Sequence, residues 1–420
     1  MTKPLCSDLA DIEWLTGPEA GAVLAELADD SAPLHAAAAR LRRAFSAERT
    51  HLLLDQVELR RRAAAKFTQP ERMFFTRVGL EQATDEWAAN YKSQRFHRQP
   101  VESVSARSTT QLEPTFNNAA NLKIADLCCG IGGDLMALAK LGGTVGVDLH
   151  PACAHFAKLN ARAEVQSIDA TKFDLRDVAA WHIDPDRRPA GKRTTSLEWC
   201  APDRTAIEWM LARTPHAAVK LAPATNVPPD WEECCELEWI SRDGECKQLV
   251  AWHGDLASAP GERRATLISS RRDTDAPVHP VRTMVGKRNQ PVRIANAPDR
   301  YVFDIDAAVI AARLTGTLAA EHHLKALSGG GTYLTGPTAI AEAALSAFEV
   351  LQVLPLRTRA LAQHLKARHI GQLEIKKRSV DIEPEKLRRE LKLRGDNTAT
   401  LIITPIAGRP TAILAQRVVD

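Results

Sequence analysis

The stretch Asp126–Asp134, DLCCGIGGD, decides the fold. It joins an apolar run, LKIADLCC, to a run with helical spacing, LMALAKLGG, through three glycines. Glycines between a strand and a helix let the main chain approach a ligand closely. A dinucleotide fingerprint would want a third glycine three residues after Gly132, and Leu135 stands there instead. Carboxylates flank the loop, Asp126 inside the strand and Asp134 at the start of the helix. Two acids would repel a pyrophosphate, whereas they can pair with an ammonium.

Working outward, TVGVDLH reads as a second strand ending at Asp148, where an acid can accept both hydroxyls of a ribose. PACAHFAKLNAR is a second helix with Pro151 in its first turn. VQSIDA, AAWHIDP and HAAVKLAP read as strands three to five, and ELEWISRDGECKQLVAWHG as two strands joined by an Asp-Gly turn. Strands alternating with helices and closing in a hairpin predict an α/β fold with a mainly parallel, doubly wound sheet. A nucleoside with a cationic amino-acid tail meets the demands of Asp126, Asp134 and Asp148 together, and S-adenosylmethionine is such a molecule.

The pattern D-x-x-x-G-x-G after one strand, with an acid ending the next, resembles class I S-adenosylmethionine-dependent methyltransferases. The resemblance implies a Rossmann-like methyltransferase sheet. It assigns Asp126, Gly130 and Gly132 to the methionine moiety, Asp148 to the ribose and Asp169 of QSIDAT to the adenine amino group. Cys128, Gly133, Asp134, Leu149 and Ala170 complete the cofactor contacts it implies.

In this family the catalytic residues follow strand four, here HIDPDRRP, His182–Pro189. Methyltransferases of exocyclic amines carry Asn/Asp-Pro-Pro-aromatic there. Asp184 and Pro185 match, while Asp186 and Arg187 replace the second proline and the aromatic. A guanidinium can stack on a base or clamp a phosphate, so Asp184, Pro185, Arg187 and Arg188 are the expected catalytic residues. Asp-Pro-x-Arg is also similar to RNA 5-methyluridine enzymes, which need a cysteine nucleophile after strand five. LAPATN follows that strand here, and Cys200 precedes it, so carbon methylation by that route is not expected.

A closer resemblance covers Arg77 to the C-terminus. The segments LEQAT, YK, DPDRR, KLAP, SRDGEC and LEIKKR, in that order, resemble an uncharacterised bacterial group of methyltransferases with a C-terminal THUMP-like domain, related to RNA guanine-N2 methyltransferases. It implies an RNA partner, tRNA or rRNA, with methylation of a base exocyclic amine. Rival readings are a non-catalytic RNA-binding protein of the same fold and a methyltransferase of small molecules or proteins. Gln82 and Thr84 are candidate substrate or cofactor contacts, though their position also suits caps of the next helix. Trp181 and Trp199 flank the fourth-strand motif and could stack on a flipped base, although core packing explains most tryptophans.

The rest of the chain divides around this core. Residues 1–68 carry apolar side chains at helical spacing, as in LHAAAARLRRAF, and predict a helical N-terminal region. Residues 69–270 form the expected methyltransferase domain, 271–297 a basic linker, and 298–420 a small α+β, ferredoxin-like or THUMP-like RNA-binding region. The formal net charge is +3, but residues 357–394 hold 12 Lys/Arg against 5 Asp/Glu. That local excess suits a polyanion. Lys376, Lys377, Arg378, Arg388 and Arg389 are the expected RNA contacts, against the plainer reading of a solvated helix face. No apolar run approaches the roughly 20 residues of a membrane span, so no membrane partner is expected. The start MTKPLCSDLADIEWL lacks the features of a secretory signal, which makes the cytoplasm the expected location. Eight cysteines without a CxxC spacing, and histidines without nearby partners, predict reduced thiols and no metal. The sequence leaves the oligomeric state open.

Overall fold

A computed structural model describes residues 9–29, 34–97, 123–189, 191, 194–270 and 278–418. The strands are β1 (Ile124–Leu127), β2 (Thr144–Val147), β3 (Glu164–Gln166), β4 (Ala180–Ile183), β5 (Ala217–Leu221), β6 (Glu236–Arg242), β7 (Glu245–His253), β8 (Arg263–Ile268), β9 (Arg282–Gly286), β10 (Tyr301–Ile305), β11 (Lys325–Ala326), β12 (Tyr333–Gly336), β13 (Leu345–Pro355), β14 (Ile370–Lys377), β15 (Asn397–Ile406) and β16 (Arg409–Arg417). The chain forms two compact units: Met1–Pro228 with Val250–Ser258 and Arg271–His279, and Pro229–Leu249 with Ala259–Ser270 and Pro280–Asp420.

In the first unit the strands run in the order β3-β2-β1-β4-β5, with residues 250–253 of β7 beyond β5. β1 pairs in parallel with β2 and β4, β2 with β3, and β4 with β5. Every residue of β1, β4 and β5 is buried, as expected of central parallel strands covered on both faces. The order reverses between β1 and β4, the place where open α/β sheets leave a crevice at their carboxyl ends. The Asp-Gly turn between β6 and β7 is as read, with both residues at positive φ (52° and 82°).

The helical region and the glycine loop share one core. The helices Leu9–Leu15, Pro18–Asp29, Leu34–Leu41 and Ala47–Ala63 bury Leu15, Leu24 and Leu53 with Phe67 and Phe75, and these pack with Ile131 and Phe156. Ser46 caps the last of these helices by accepting the N–H of Arg49. Asn160 then laces the approach segment to the loop, donating to Phe74 O (2.9 Å) and to Ile131 O (2.8 Å). Lys66 donates to the carbonyls of Leu80, Glu81 and Ala83 at 2.8–3.0 Å, closing the C-terminal end of the helix Arg77–Gln82. The described helices of this region therefore share a core with the glycine loop and with Phe156.

The second unit contains β6, β8 and β9 and a separate sheet in the order β11-β12-β10-β13-β16-β15-β14. β14 and β15 are parallel, and the pairings of β13, β15 and β16 are antiparallel. β15 is apolar on both faces: Leu401 and Ile403 meet Leu361, Leu365, Leu387 and Leu391, and Ile402 meets Phe348 and Ile413. Leu361 and Leu365 belong to the helix Thr358–Ala367, and Leu387 and Leu391 to the helix Pro384–Leu391. One reading changes. Residues 282–286, expected within a basic linker, form β9 against β8, with Met284 buried beneath the charges. The apolar run AAVIAARLTGTLAA forms two helices, Ala307–Ala311 and Thr315–Glu321, because Arg313 takes φ +58° between them. No helix of the described residues is long and apolar enough to cross a membrane.

Candidate active site

The bare loop is built by its backbone angles. Cys128, Gly130 and Gly132 take φ of 54°, 56° and 90°, which favour glycine. A Cβ on Gly133 would stand 2.9 Å from Thr84 O, and one on Gly132 would stand 3.2 Å from Ala157 Cα. One on Gly130 would meet open space, so this is where the loop presents main chain to a ligand. Asp148 holds the loop in place: one carboxylate oxygen accepts the Gly130 N–H (2.8 Å) and the other accepts the His150 N–H (2.9 Å). Asp169 accepts from the N–H and hydroxyl of Thr171 through Oδ1 alone. Leu149 lies 70% exposed beside Asp148, a large apolar surface at the mouth, and Ala170 is buried.

The carboxylates converge. Burial, then the charges of Asp148, Asp184, Asp126 and Asp169, push the Cys128 thiol well above its usual range. Four acids at or near the ends of four strands thus act on this thiol, and the Oδ2 of Asp126 is buried without a partner among the described residues. A field of that sign suits a cationic ligand, so the residues present fit S-adenosylmethionine.

The acids bounding the loop do not both wait for a ligand's ammonium, as the sequence suggested. Asp134 is paired to Lys92 (2.7 Å) and accepts the Thr84 hydroxyl (2.5 Å). Asp126 accepts from His182 Nδ1 at 2.7 Å. The other ring nitrogen, Nε2, stands 3.2 Å from Lys92 Nζ and 3.7 Å from Asp134 Oδ2. These side chains are almost fully buried, and buried charges must be compensated. Burial raises the Asp126 carboxyl above its usual range despite His182. Burial would also raise Asp134, but Lys92, His182 and Lys220 outweigh it and hold Asp134 well below the carboxylate range. Thr84 caps no helix; Asp85 caps the helix Glu86–Ser93.

At the end of β4, Asp184 Oδ2 lies 2.5 Å from the ammonium of Lys220, which also reaches Gln82 O at 3.4 Å. Burial would lower the Lys220 ammonium, but Asp184 and Asp134 outweigh it and raise it, so it stays charged. Asp184 Oδ1 makes no hydrogen bond to the described residues. Pro185, Arg187, Thr194, Cys200, Lys220 and Thr225 line a cleft beside it. The two arginines of the motif part company. Arg188 pairs with Glu81 at 2.7 Å, while Arg187 keeps a buried guanidinium nitrogen without a partner. Mutual backbone bonds of 2.8 and 2.9 Å between Asp186 and Ala201 pin the cleft's far wall to the motif. Burial pushes the Cys200 thiol up to about 11, which leaves it protonated and not a nucleophile. Trp181 is a core residue, fully buried with its indole N–H on Thr214 O, whereas Trp199 is 72% exposed.

Of the C-terminal candidates, Lys376 and Arg378 both lean on Asp304, at 2.8 and 3.5 Å. Arg388 pairs with Glu385 at 2.7 Å, and Lys377 and Arg389 are exposed without an ion pair to the described residues. Glu321, His322 and Glu342 cluster at metal-ligand distances, but the cation between them is Arg282, 2.6 Å from Glu321 and 3.3 Å from Glu342.

Sequence reasoning passed over Lys92, His182 and Lys220. The available signal was a basic residue inside an apolar run, as in HAAVKLAP, for which no loop or solvent face could account.

Residues 345–417 match a family model described as THUMP domain-like, and residues 8–63 match that of a domain of unknown function. An uncharacterized S-adenosylmethionine-dependent methyltransferase found in two strains of Mycobacterium tuberculosis, CDC 1551 and H37Rv, is 29% identical over 382 residues, covering 87% of this chain and 95% of the relative. A putative methyltransferase of Porphyromonas gingivalis W83 superposes with a TM-score of 0.70 at 20% identity, covering all of both chains. That likeness is one of fold.

Proposed function

We propose that the chain, an S-adenosylmethionine-dependent methyltransferase with a THUMP-like domain at its C-terminus, methylates structured RNA, tRNA or rRNA, at an exocyclic amine of a base. The observation that carries the reading is Asp184 at the carboxyl edge of β4, with one oxygen on Lys220 and the other without a hydrogen bond among the described residues. An exocyclic amine needs an acceptor that aims its lone pair at the methyl group and receives its proton. A carboxylate with one open oxygen meets that need.

Bound S-adenosylmethionine supplies a methyl group on a sulfonium. Asp126, Gly130, Asp148 and Asp169 are the residues that would hold it. Pro185 restrains Asp184 towards an extended backbone, which aims the motif out of the sheet. Arg187 lines the cleft and keeps a buried guanidinium nitrogen without a partner among the described residues, which a base carbonyl or a phosphate oxygen would satisfy. Trp199, exposed in the segment between the cleft-lining Leu197 and Cys200, offers a ring face to a base taken out of its stack. The chain's contribution is chiefly placement, the largest lever available for a direct displacement.

RNA as the substrate is supported by the THUMP-like match, since domains of that kind bind structured RNA. It is further supported by the basic excess within residues 357–394, which fall inside that match. The test is single-turnover transfer of a tritiated methyl group to a mixture of cellular RNA, protein and small metabolites, with RNA saturating. Label should enter RNA, and Asp184→Ala should slow its entry about 10²-fold while cofactor affinity stays within a few-fold. Label confined to protein or metabolites would overturn the substrate. An undiminished rate in Asp184→Ala would remove Asp184 from the chemistry.

A further inference from the structure

We propose that Lys220 is a positioning residue for methyl transfer: its ammonium captures one oxygen of Asp184 and thereby fixes the other for the acceptor N–H. The proposal rests on the catalytic reading of Asp184. It explains a residue that packing alone would not select. All five residues of β5 are buried, and four of them, Ala217, Ala218, Val219 and Leu221, are apolar. An ammonium at that place is costly to desolvate, and a leucine would fill the space without that cost. A buried ion pair is weak grounds for stability, so a role in the site is the better account.

The geometry supplies that role. An aspartate's last torsion is soft and roughly two-fold, so an untethered carboxylate samples a broad arc. Here the Lys220 side chain is 7% exposed and Asp184 23% exposed, so the ammonium lies deeper than the acid that it holds. It stands 2.5 Å from Oδ2, leaving Oδ1 without a partner among the described residues. The charged groups facing Lys220 are Asp184, Asp134 and Arg187, and Gln82 O approaches from the segment over the loop. Lys220 therefore stands where the motif after β4, the helix-opening Asp134 and the approach segment meet. A displacement of about 1 Å at such a group can cost about 10²-fold in rate.

The experiment uses the full-length chain with tritiated S-adenosylmethionine and the RNA fraction that it methylates. Lys220→Met should lower the saturating single-turnover rate about tenfold or more, with RNA KM and cofactor Kd within about threefold. Lys220→Arg, which can donate to the same oxygen, should recover most of the rate. The double variant D184A/K220M should be no slower than D184A, because a residue that acts through Asp184 has nothing left to position. A saturating rate in Lys220→Met within about twofold of the parent overturns the proposal, as does a double variant whose penalties multiply. Should Lys220→Met fail to fold, Lys220→Arg against Lys220→Gln decides: a tenfold gap supports positioning by the charge, and equal rates overturn it. If D184A itself turns over at the parent rate, the reading of Asp184 has failed. If D184A is slow and Lys220→Met is fast, only the role of Lys220 has failed.

Discussion

Replacing Lys92 by methionine should destabilise the first unit more than any surface change could. Lys92 Nζ stands 2.7 Å from Asp134 Oδ1, with the two side chains 2% and 8% exposed. At that distance the gross attraction is about 6 kcal/mol for an effective dielectric near 20. Desolvating both ions offsets most of it, so the intact pair adds little net stability. Breaking it is another matter, because the buried Asp134 carboxylate loses its nearest cation and keeps Thr84 and the more distant His182, at a cost of about 3–5 kcal/mol. Urea unfolding at neutral pH, followed by tryptophan fluorescence, would read this as a midpoint shift of the transition that carries Trp181 and Trp252, both of which are buried. Lys92→Met combined with Asp134→Leu should recover most of the loss, since neither charge is then buried alone. The pH dependence has a definite sign. Asp134 is held below its usual range, so its pairing contributes stability above the unfolded carboxyl's pKa. That contribution is lost as pH falls through the lower, folded value, and the gap between parent and Lys92→Met should narrow there. A cost under about 1 kcal/mol, or a double variant less stable than Lys92→Met, would refute this account of the buried pair.

Asp148→Ala should weaken S-adenosylmethionine binding at least tenfold by calorimetry, since a charge-assisted hydrogen bond to a ribose hydroxyl is worth about 1.5–3 kcal/mol. Because burial raises the Asp148 carboxyl, binding in the parent should begin to fade on acidification before an ordinary aspartate would titrate; unchanged affinity in the variant would remove Asp148 from the site. His253 is buried and its pKa is pushed down from 6.5 to about 4. The unfolded chain therefore takes up a proton that the fold refuses, and stability should fall by about 3 kcal/mol as pH drops through that window. His253→Phe should flatten that slope, and a slope equal to the parent's would contradict it. Replacing exposed Lys377 and Arg389 by Ala should reduce the log–log salt dependence of RNA binding by about two units, whereas Lys376→Ala, already paired to Asp304, should change it less. Equal effects would show that the Asp304 pair does not restrain Lys376.

The order of elements was legible because strand and helix periods are local. LKIADLCC, TVGVDLH and AAWHI each announce a buried strand through their own residues, and the Asp-Gly turn announces its hairpin. The same holds for the helices Thr358–Ala367 and Pro384–Leu391, whose leucines recur at helical spacing. The acids at the ends of β1, β2, β3 and β4 could be named as candidates because ligands gather at that edge of such a sheet. What each acid touches was not legible. Asp184 meets a lysine 36 residues away, and His182 meets one 90 residues away. Strand order brings β4 beside β1 and β5 and so sets Asp184 near Lys220, while the helix Glu86–Ser93 carries Lys92 to His182. Periodicity reports whether a side chain faces the core, and Lys92 and Lys220 look like misfits on that test. Only the tertiary structure supplies the buried carboxylates that make an ammonium tolerable in the core, because compensating a desolvated charge depends on distances of a few ångströms that no local pattern encodes.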